Sequence, residues 1–233
     1  MIYSAFKLSI IDKDVVRSRL RDVPVLTLRV GPGKISYHVH QDLLFNTSNV
    51  FKTAFSGKFL ESSDRSMDLP DDDVESVEQM AHWLYTKDLA IPKPVTAEST
   101  KQWYWQLAKL NTLADKYEMT TLSNIIVDEL FELHGKDIIP PQMDVITYVY
   151  ENTTEKSSFR KVMVAWYVWK INYEWYKKAS TRDVILQLPE FAADLAIALA
   201  LRAGFTTEKN PFNGSSSDYH EKSTKTAKET HAP

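Results

Sequence analysis

Two short segments near the start of the chain carry the apolar residues of β-strands. Val25 to Val30 is a run rich in Val and Leu, and Ile35, Tyr37 and Val39 alternate with Ser36, His38 and His40. A period of two gives a strand one buried face, and Gly31-Pro32-Gly33-Lys34 between the runs is turn-forming sequence, so a hairpin is predicted. The period then changes. Leu43 and Leu44 follow His40 as a short helix, and Phe51, Ala54 and Phe55 follow Ser48 at helical spacing, with serine a favoured first cap. Asp71, Asp72 and Asp73 precede Val74, Val77, Met80, Ala81 and Leu84, where carboxylates suit the exposed amides and positive dipole end of a helix.

Pro92, Pro94, Ser99 and Thr100 mark residues 89–100 as a loop. Beyond it, Trp103, Leu107, Leu110, Ala114 and Tyr117 form one helical stripe and Leu122, Ile126, Leu130 and Leu133 a second, which predicts a helical hairpin over the sheet. Gly135 and Pro140-Pro141 bound it. An all-helical unit is then expected. Met143, Ile146, Val149 and Tyr150 give one helix, Val162, Ala165, Trp166, Trp169, Tyr173 and Tyr176 a longer one, and residues 189–201 a third that begins at a proline and carries Phe191, Leu195, Ala198 and Leu199 on one face. Thr206 to Pro233 is poor in apolar residues and is expected to be disordered, so that the folded part ends near Phe205. The expected organisation is an N-terminal arm at 1–22, a domain at 23–135, a helical extension at 136–205 and a tail at 206–233.

The order and spacing of His40, Leu43, Leu44, Ser48, Phe51, Ala54, Phe55, Phe59, Glu61 and Leu69 resemble the core of the BTB/POZ family. The likeness continues in Pro70, Ala81, Trp83, Leu84 and Tyr85, then in Leu110, Leu113, Ala114, Asp115, Lys116, Tyr117 and Leu122, and covers about residues 23–135. The chain is similar in particular to compact BTB proteins of filamentous fungi that carry a helical extension in place of zinc fingers or kelch repeats. The resemblance implies an α+β fold, a small sheet capped by helical hairpins, and a function in binding other proteins, with homodimerisation as a usual mode.

Composition removes several other classes. The 233 residues carry 43% hydrophobic and 25% charged side chains, ordinary for a globular protein, and a net charge of −3 that argues against a nucleic-acid binder. Zero cysteines exclude disulfides, thiolate catalysis and cysteine-held zinc. Lys7 and Asp12 interrupt the apolar residues at the start, so no secretory leader is read, and the longest apolar helical stretch, Leu195 to Leu201, is too short to span a bilayer. An intracellular location, cytoplasm or nucleus, is expected, with no membrane partner.

No catalytic motif is legible. Gly31-Pro32-Gly33 lacks the further glycine and the basic residue of a phosphate loop, and no nucleophile elbow or paired-histidine zinc helix appears. No enzyme activity, metal or cofactor is therefore expected. His38 and His40, two apart on one strand, are the one pair worth testing for metal. The bland alternative is that His40 fixes the strand-to-helix corner and His38 faces solvent.

The remaining candidates are surfaces. In some family members an apolar residue, any residue and a glutamate after the second helix contact a cullin ubiquitin-ligase scaffold. Phe59, Leu60 and Glu61 stand at that place, and the resemblance implies a substrate adaptor acting in ubiquitination. In others a dimer groove with an acidic residue on the first strand and a basic one after the histidine recruits corepressors. Here those positions hold Val25 and Gln41, so that role loses both its charges. A structural or regulatory dimer without a cullin is the alternative. Off the buried stripe of the aromatic helix stand Tyr167 and Trp175, which are further candidates for a partner surface.

Overall fold

The structure is a computed structural model that describes residues 23–57, 63–134, 140–170, 173–204 and 210–222. Strands β1 (Val25–Val30) and β2 (Ile35–His40) form the expected antiparallel hairpin, with Val25 opposite His40 and Val30 opposite Ile35. Gly31 at the turn has φ +67°, and a Cβ there would meet Val74 at 3.2 Å, so glycine serves both conformation and close approach. A third strand, β3 (Ser66–Leu69), pairs parallel with β1 on its other side and gives the order β2-β1-β3. Four residues with Met67 and Leu69 among polar neighbours are too few to reveal a strand from periodicity alone.

Helices α1 (Gln41–Thr47) and α2 (Asn49–Ser56) follow β2 directly. After β3 come α3 (Val74–Thr86), α4 (Ala97–Lys116) and α5 (Thr120–His134). Leu26, Leu28, Val30 and Val39 of the sheet are buried with Leu44, Phe51, Met80, Trp83, Leu107 and Leu130 of these helices. The start of α4 departs from expectation, because Ser99 and Thr100 belong to its first turn. The Thr96 side chain accepts the Ser99 amide while Ser99 reaches back to the Thr96 amide, a reciprocal cap with serine in the place glutamate usually takes.

The extension contains α6 (Met143–Asn152), α7 (Ser158–Lys170), a single turn α8 (Tyr173–Tyr176), α9 (Ala179–Gln187) and α10 (Pro189–Gly204). Of the long aromatic helix expected up to Tyr176, the described residues form α7 up to Lys170 and the turn α8, and 171–172 between them lie outside the described residues. Carbonyls in the last described turn of α7 are taken by side chains: the Tyr176 hydroxyl donates to Tyr167 O at 2.7 Å and Arg202 donates to Val168 O. Such partners satisfy carbonyls that a helix end leaves open. The Tyr173 side chain lies outside the described residues.

The extension does not form a core of its own. Helix α6 packs on α4 and α7 on α5, and the buried residues from Leu26 to Phe212 make one continuous cluster.

The largest correction concerns the tail. Residues 210–222, expected to be disordered, form two 3-10 turns, Pro211–Asn213 and Ser216–Tyr219, packed on α5 and α7. Phe212 is only 9% exposed. Sparse apolar content misled because a single aromatic ring and several hydrogen bonds to prepared partners hold the segment. Residues 223–233 and the N-terminal arm, 1–22, lie outside the described residues.

Candidate interaction surfaces

The helix that leads into the candidate cullin loop is anchored at its start. Ser48 Oγ accepts the Phe51 amide at 3.2 Å and donates to Tyr117 O at 2.6 Å, and the Phe51 ring stacks on Tyr117 at 4.4 Å. Tyr117 in turn donates its hydroxyl to Asp72 at 2.5 Å, and Lys116 pairs with the same carboxylate at 2.7 Å. Burial pushes the Tyr117 hydroxyl far above its ordinary range, and the Asp72 charge pushes the same way. Ser48, Phe51, Asp72 and Tyr117 thus join α2, the acidic turn and the end of α4. Phe59, Leu60 and Glu61 follow α2 and lie outside the described residues.

Two of the three aspartates, Asp72 and Asp73, have separate roles. Asp73 caps α3, accepting the Ser76 amide at 3.0 Å, and pairs with Lys109 at 2.9 Å. Burial raises its pKa, but Lys109 and Ser76 outweigh this and hold the carboxyl below the usual range. Among the described residues no group of three His, Asp or Glu is placed to hold a metal ion. His40 Nδ1 lies 2.7 Å from the Tyr85 hydroxyl, which also accepts the His40 amide at 3.2 Å, and His38 Nδ1 lies 3.1 Å from Thr27 Oγ1. Each histidine has its own partner at the corner or on the sheet.

Tyr167 is not a surface residue. It is 1% exposed, its hydroxyl donates to Pro141 O at 2.5 Å, and its ring packs edge-on against Phe191 at 5.2 Å and Trp175 at 4.9 Å. The residue falls off the α7 stripe because α7 is buried on nearly its whole circumference, with α5, α6 and α10 packed on it and the rings of α8 against Tyr167. Trp175 is half-buried on Tyr167 and Tyr176, so it is a wall of this packing rather than a free aromatic.

Two surfaces had no clear signal in the sequence. One is the groove between α5 and α7 that residues 210–222 occupy. The other is the outer side of α10, where Ile197 is 61% and Leu201 47% exposed. A cavity of about 450 Å³ opens between them, lined by the apolar Val164, Val168, Ile197 and Leu201, by Tyr219, and by the charged Glu155, Arg160, Lys161 and Asp194. The face expected to be covered, Phe191, Leu195, Ala198 and Leu199, does bury Phe191 and Leu195 and packs Ala198 on the core, whereas Leu199 stays 37% exposed with Ile197 and Leu201.

A three-stranded sheet flanked by paired helices, with the cap at Ser48 and the His40–Tyr85 corner, is the architecture that the family likeness implied. The BTB/POZ domain family matches residues 20–132, and the chain carries a BTB/POZ domain followed by a helical extension. Such a domain is a protein-protein interaction module. Among curated proteins, none matches the chain. Among the described residues no single helix is long and apolar enough to cross a membrane.

Proposed function

We propose that this protein is a non-enzymatic adaptor that self-associates through its BTB/POZ domain and presents Phe59 and Glu61 to a cullin scaffold. The observation that carries the choice is the pairing at the start of the sheet. Val25 lies opposite His40, and the Gln41 main-chain amide donates to Pro24 O at 2.8 Å, so the positions where corepressor-binding members keep opposite charges stand at the same end of the hairpin and hold an apolar and a neutral residue. A charged peptide pocket has nothing to pair with at that place. The cullin loop keeps its apolar-x-Glu pattern, and the helix leading to it is tied to the domain through Ser48 and Tyr117. The extension packs against α4 and α5 and continues the same body, which widens the surface available to a scaffold. Exposed Val25 and Ile35 on the hairpin support self-association.

The test is a binding titration with a purified cullin N-terminal region. Phe59→Ala is expected to weaken binding by about 2 kcal/mol or more, as for a central aromatic anchor, without lowering the melting temperature. Glu61→Lys is expected to weaken it through a mispaired charge. Absence of micromolar binding by the wild-type chain refutes the adaptor reading and leaves the cullin-free dimer.

A further inference from the structure

Residues 210–222 lie in the groove between α5 and α7 much as a bound peptide lies on a receptor. The Phe212 ring sits against Phe131 of α5 at 4.9 Å and Trp166 of α7 at 5.4 Å, and Tyr219 packs on Phe131 at 5.3 Å. The Asn124 side chain takes both main-chain groups of Glu221, accepting its N–H at 2.8 Å and donating to its C=O at 3.2 Å. The Glu221 carboxylate accepts the Ser158 amide at 3.4 Å. Asp128 receives the Ser216 hydroxyl and lies 2.7 Å from His220 Nε2.

Three features mark this groove as built for a peptide rather than for one fixed tail. The Asn124 pair reads main chain alone, so it serves any extended segment that reaches it. Of the described side chains in 210–222 only Phe212 is buried, a small apolar burial for thirteen ordered residues. Tyr219 also lines the cavity between α7 and α10, where apolar side chains stand beside the charged Lys161 and Asp194, so the segment borders further open space that a longer peptide can use.

We propose that the α5–α7 groove is a docking site for a linear peptide of a partner protein, and that residues 210–222 are its competing occupant in cis. The peptide it fits carries an aromatic anchor, a second aromatic seven positions later and an acidic residue two beyond that, the places of Phe212, Tyr219 and Glu221. The tether gives the chain's own segment a high effective concentration, so a partner engages when the segment is loosened. This deepens the reading of the protein as an interaction module, and it rests on neither the cullin nor residues 59–61.

The test uses full-length chains and a fluorescent synthetic peptide of residues 210–222. Phe212→Ala removes the anchor and Ser216→Asp sets a charge against Asp128, and both changes lie on the segment and leave the groove walls intact. Both variants are expected to bind the peptide at micromolar concentration, and the wild-type chain at least tenfold more weakly. Adding Asn124→Ala to either variant is expected to abolish binding. Random thirteen-residue peptides selected on the Phe212→Ala chain are expected to recover the aromatic, aromatic and acidic spacing and to be displaced by the 210–222 peptide. No binding by folded variants, equal binding by variant and wild type, or selection without that spacing overturns the proposal. So does failure of both variants to fold, which makes the segment core. A wild-type dimer lost in Phe212→Ala assigns the groove to a second copy and overturns the partner reading. Cullin binding measured on the same chains reports separately on the adaptor function.

Discussion

Arg160, near the start of α7, ties three elements with one guanidinium. It donates to Tyr150 O at 2.6 Å, to Thr153 O, to Thr153 Oγ1 at 3.0 Å and to Glu190 at 2.5 Å, and it stacks over the Tyr150 ring at 4.4 Å. The planar fork closes the end of α6 onto α10, which the lysine head group does not reproduce. Because Glu190 reaches solvent, the cost of Arg160→Ala comes mainly from the stranded carbonyls and lost stacking, and about 3 kcal/mol is expected in denaturant melts. Tyr167 makes a sharper residue-level contrast. Tyr167→Phe is expected to cost about 1 kcal/mol, the net worth of the bond to Pro141 O. Tyr167→Ala is expected to cost about 3 to 5 kcal/mol, as for a large buried ring. Near-zero values for both in the same melts would return Tyr167 to the surface. Asp115 and Glu221 set a pH dependence. Burial raises both carboxyl pKa values, against the Thr154 amide and Arg160 for Asp115, and against the Ser158 amide for Glu221, which Asp115 raises further. The folded chain therefore binds these protons more tightly than the unfolded chain. The stability they contribute is full below the ordinary carboxyl range and is lost as pH rises through the raised values. Glu221→Gln, which keeps an acceptor for Ser158, is expected to flatten that decline in melts between pH 4 and 7.

At the scale of elements, the C-terminal segment and the helix beneath it depend on each other. Phe212 covers Trp166 and Phe131, and the bonds to Asn124, Asp128 and Ser158 bridge the domain to the extension. Cutting the chain after 209 removes about 2 kcal/mol of apolar burial. For a chain of this size, that corresponds to a melting point lower by about 4 to 8 °C. Calorimetry of the shortened chain checks it, and an unchanged midpoint would mean that the segment stabilises nothing. The hairpin and α1 to α3 are governed by local chemistry. Ser48, Asp73 and Thr96 each cap the helix that follows them, and the backbone enters each helix extended. Ser48 has a second duty at Tyr117 O, sixty-nine residues away, that no local rule could reveal.

At the scale of the molecule, one core runs through both parts. Trp103 and Tyr104 of α4 and Trp166 of α7 belong to the same buried cluster, and Tyr104 meets Trp166 edge-on at 6.3 Å. With no separate core to melt first, the full chain is expected to unfold in a single calorimetric transition. A fragment of residues 136–205 leaves the α5 and α4 faces of its aromatic helices bare and is expected to aggregate or stay molten. Two resolved transitions, or a monomeric fragment that melts cooperatively, would make the extension an independent domain.

By itself the sequence determined the hairpin, the helical stripes, the caps at Ser48 and Asp73 and the family of the first domain. All of these rest on periodicity and on side chains bonding to backbone a few residues away, and such rules act within a turn or two of the chain. The tertiary structure decided the third strand, the side-chain partners of the last described carbonyls of α7, the burial of Tyr167 and the docking of residues 210–222. Each of those depends on partners far along the chain: β1 for Ser66–Leu69, Arg202 and Tyr176 for the carbonyls of α7, Phe191 for Tyr167, and Phe131 with Asn124 for the C-terminal segment. A tyrosine off a helical stripe reads as exposed until a second layer of helices is known to cover it. A polar segment reads as free until the groove prepared for its one aromatic ring is seen, because burial and hydrogen-bond satisfaction belong to the assembled fold and not to the segment.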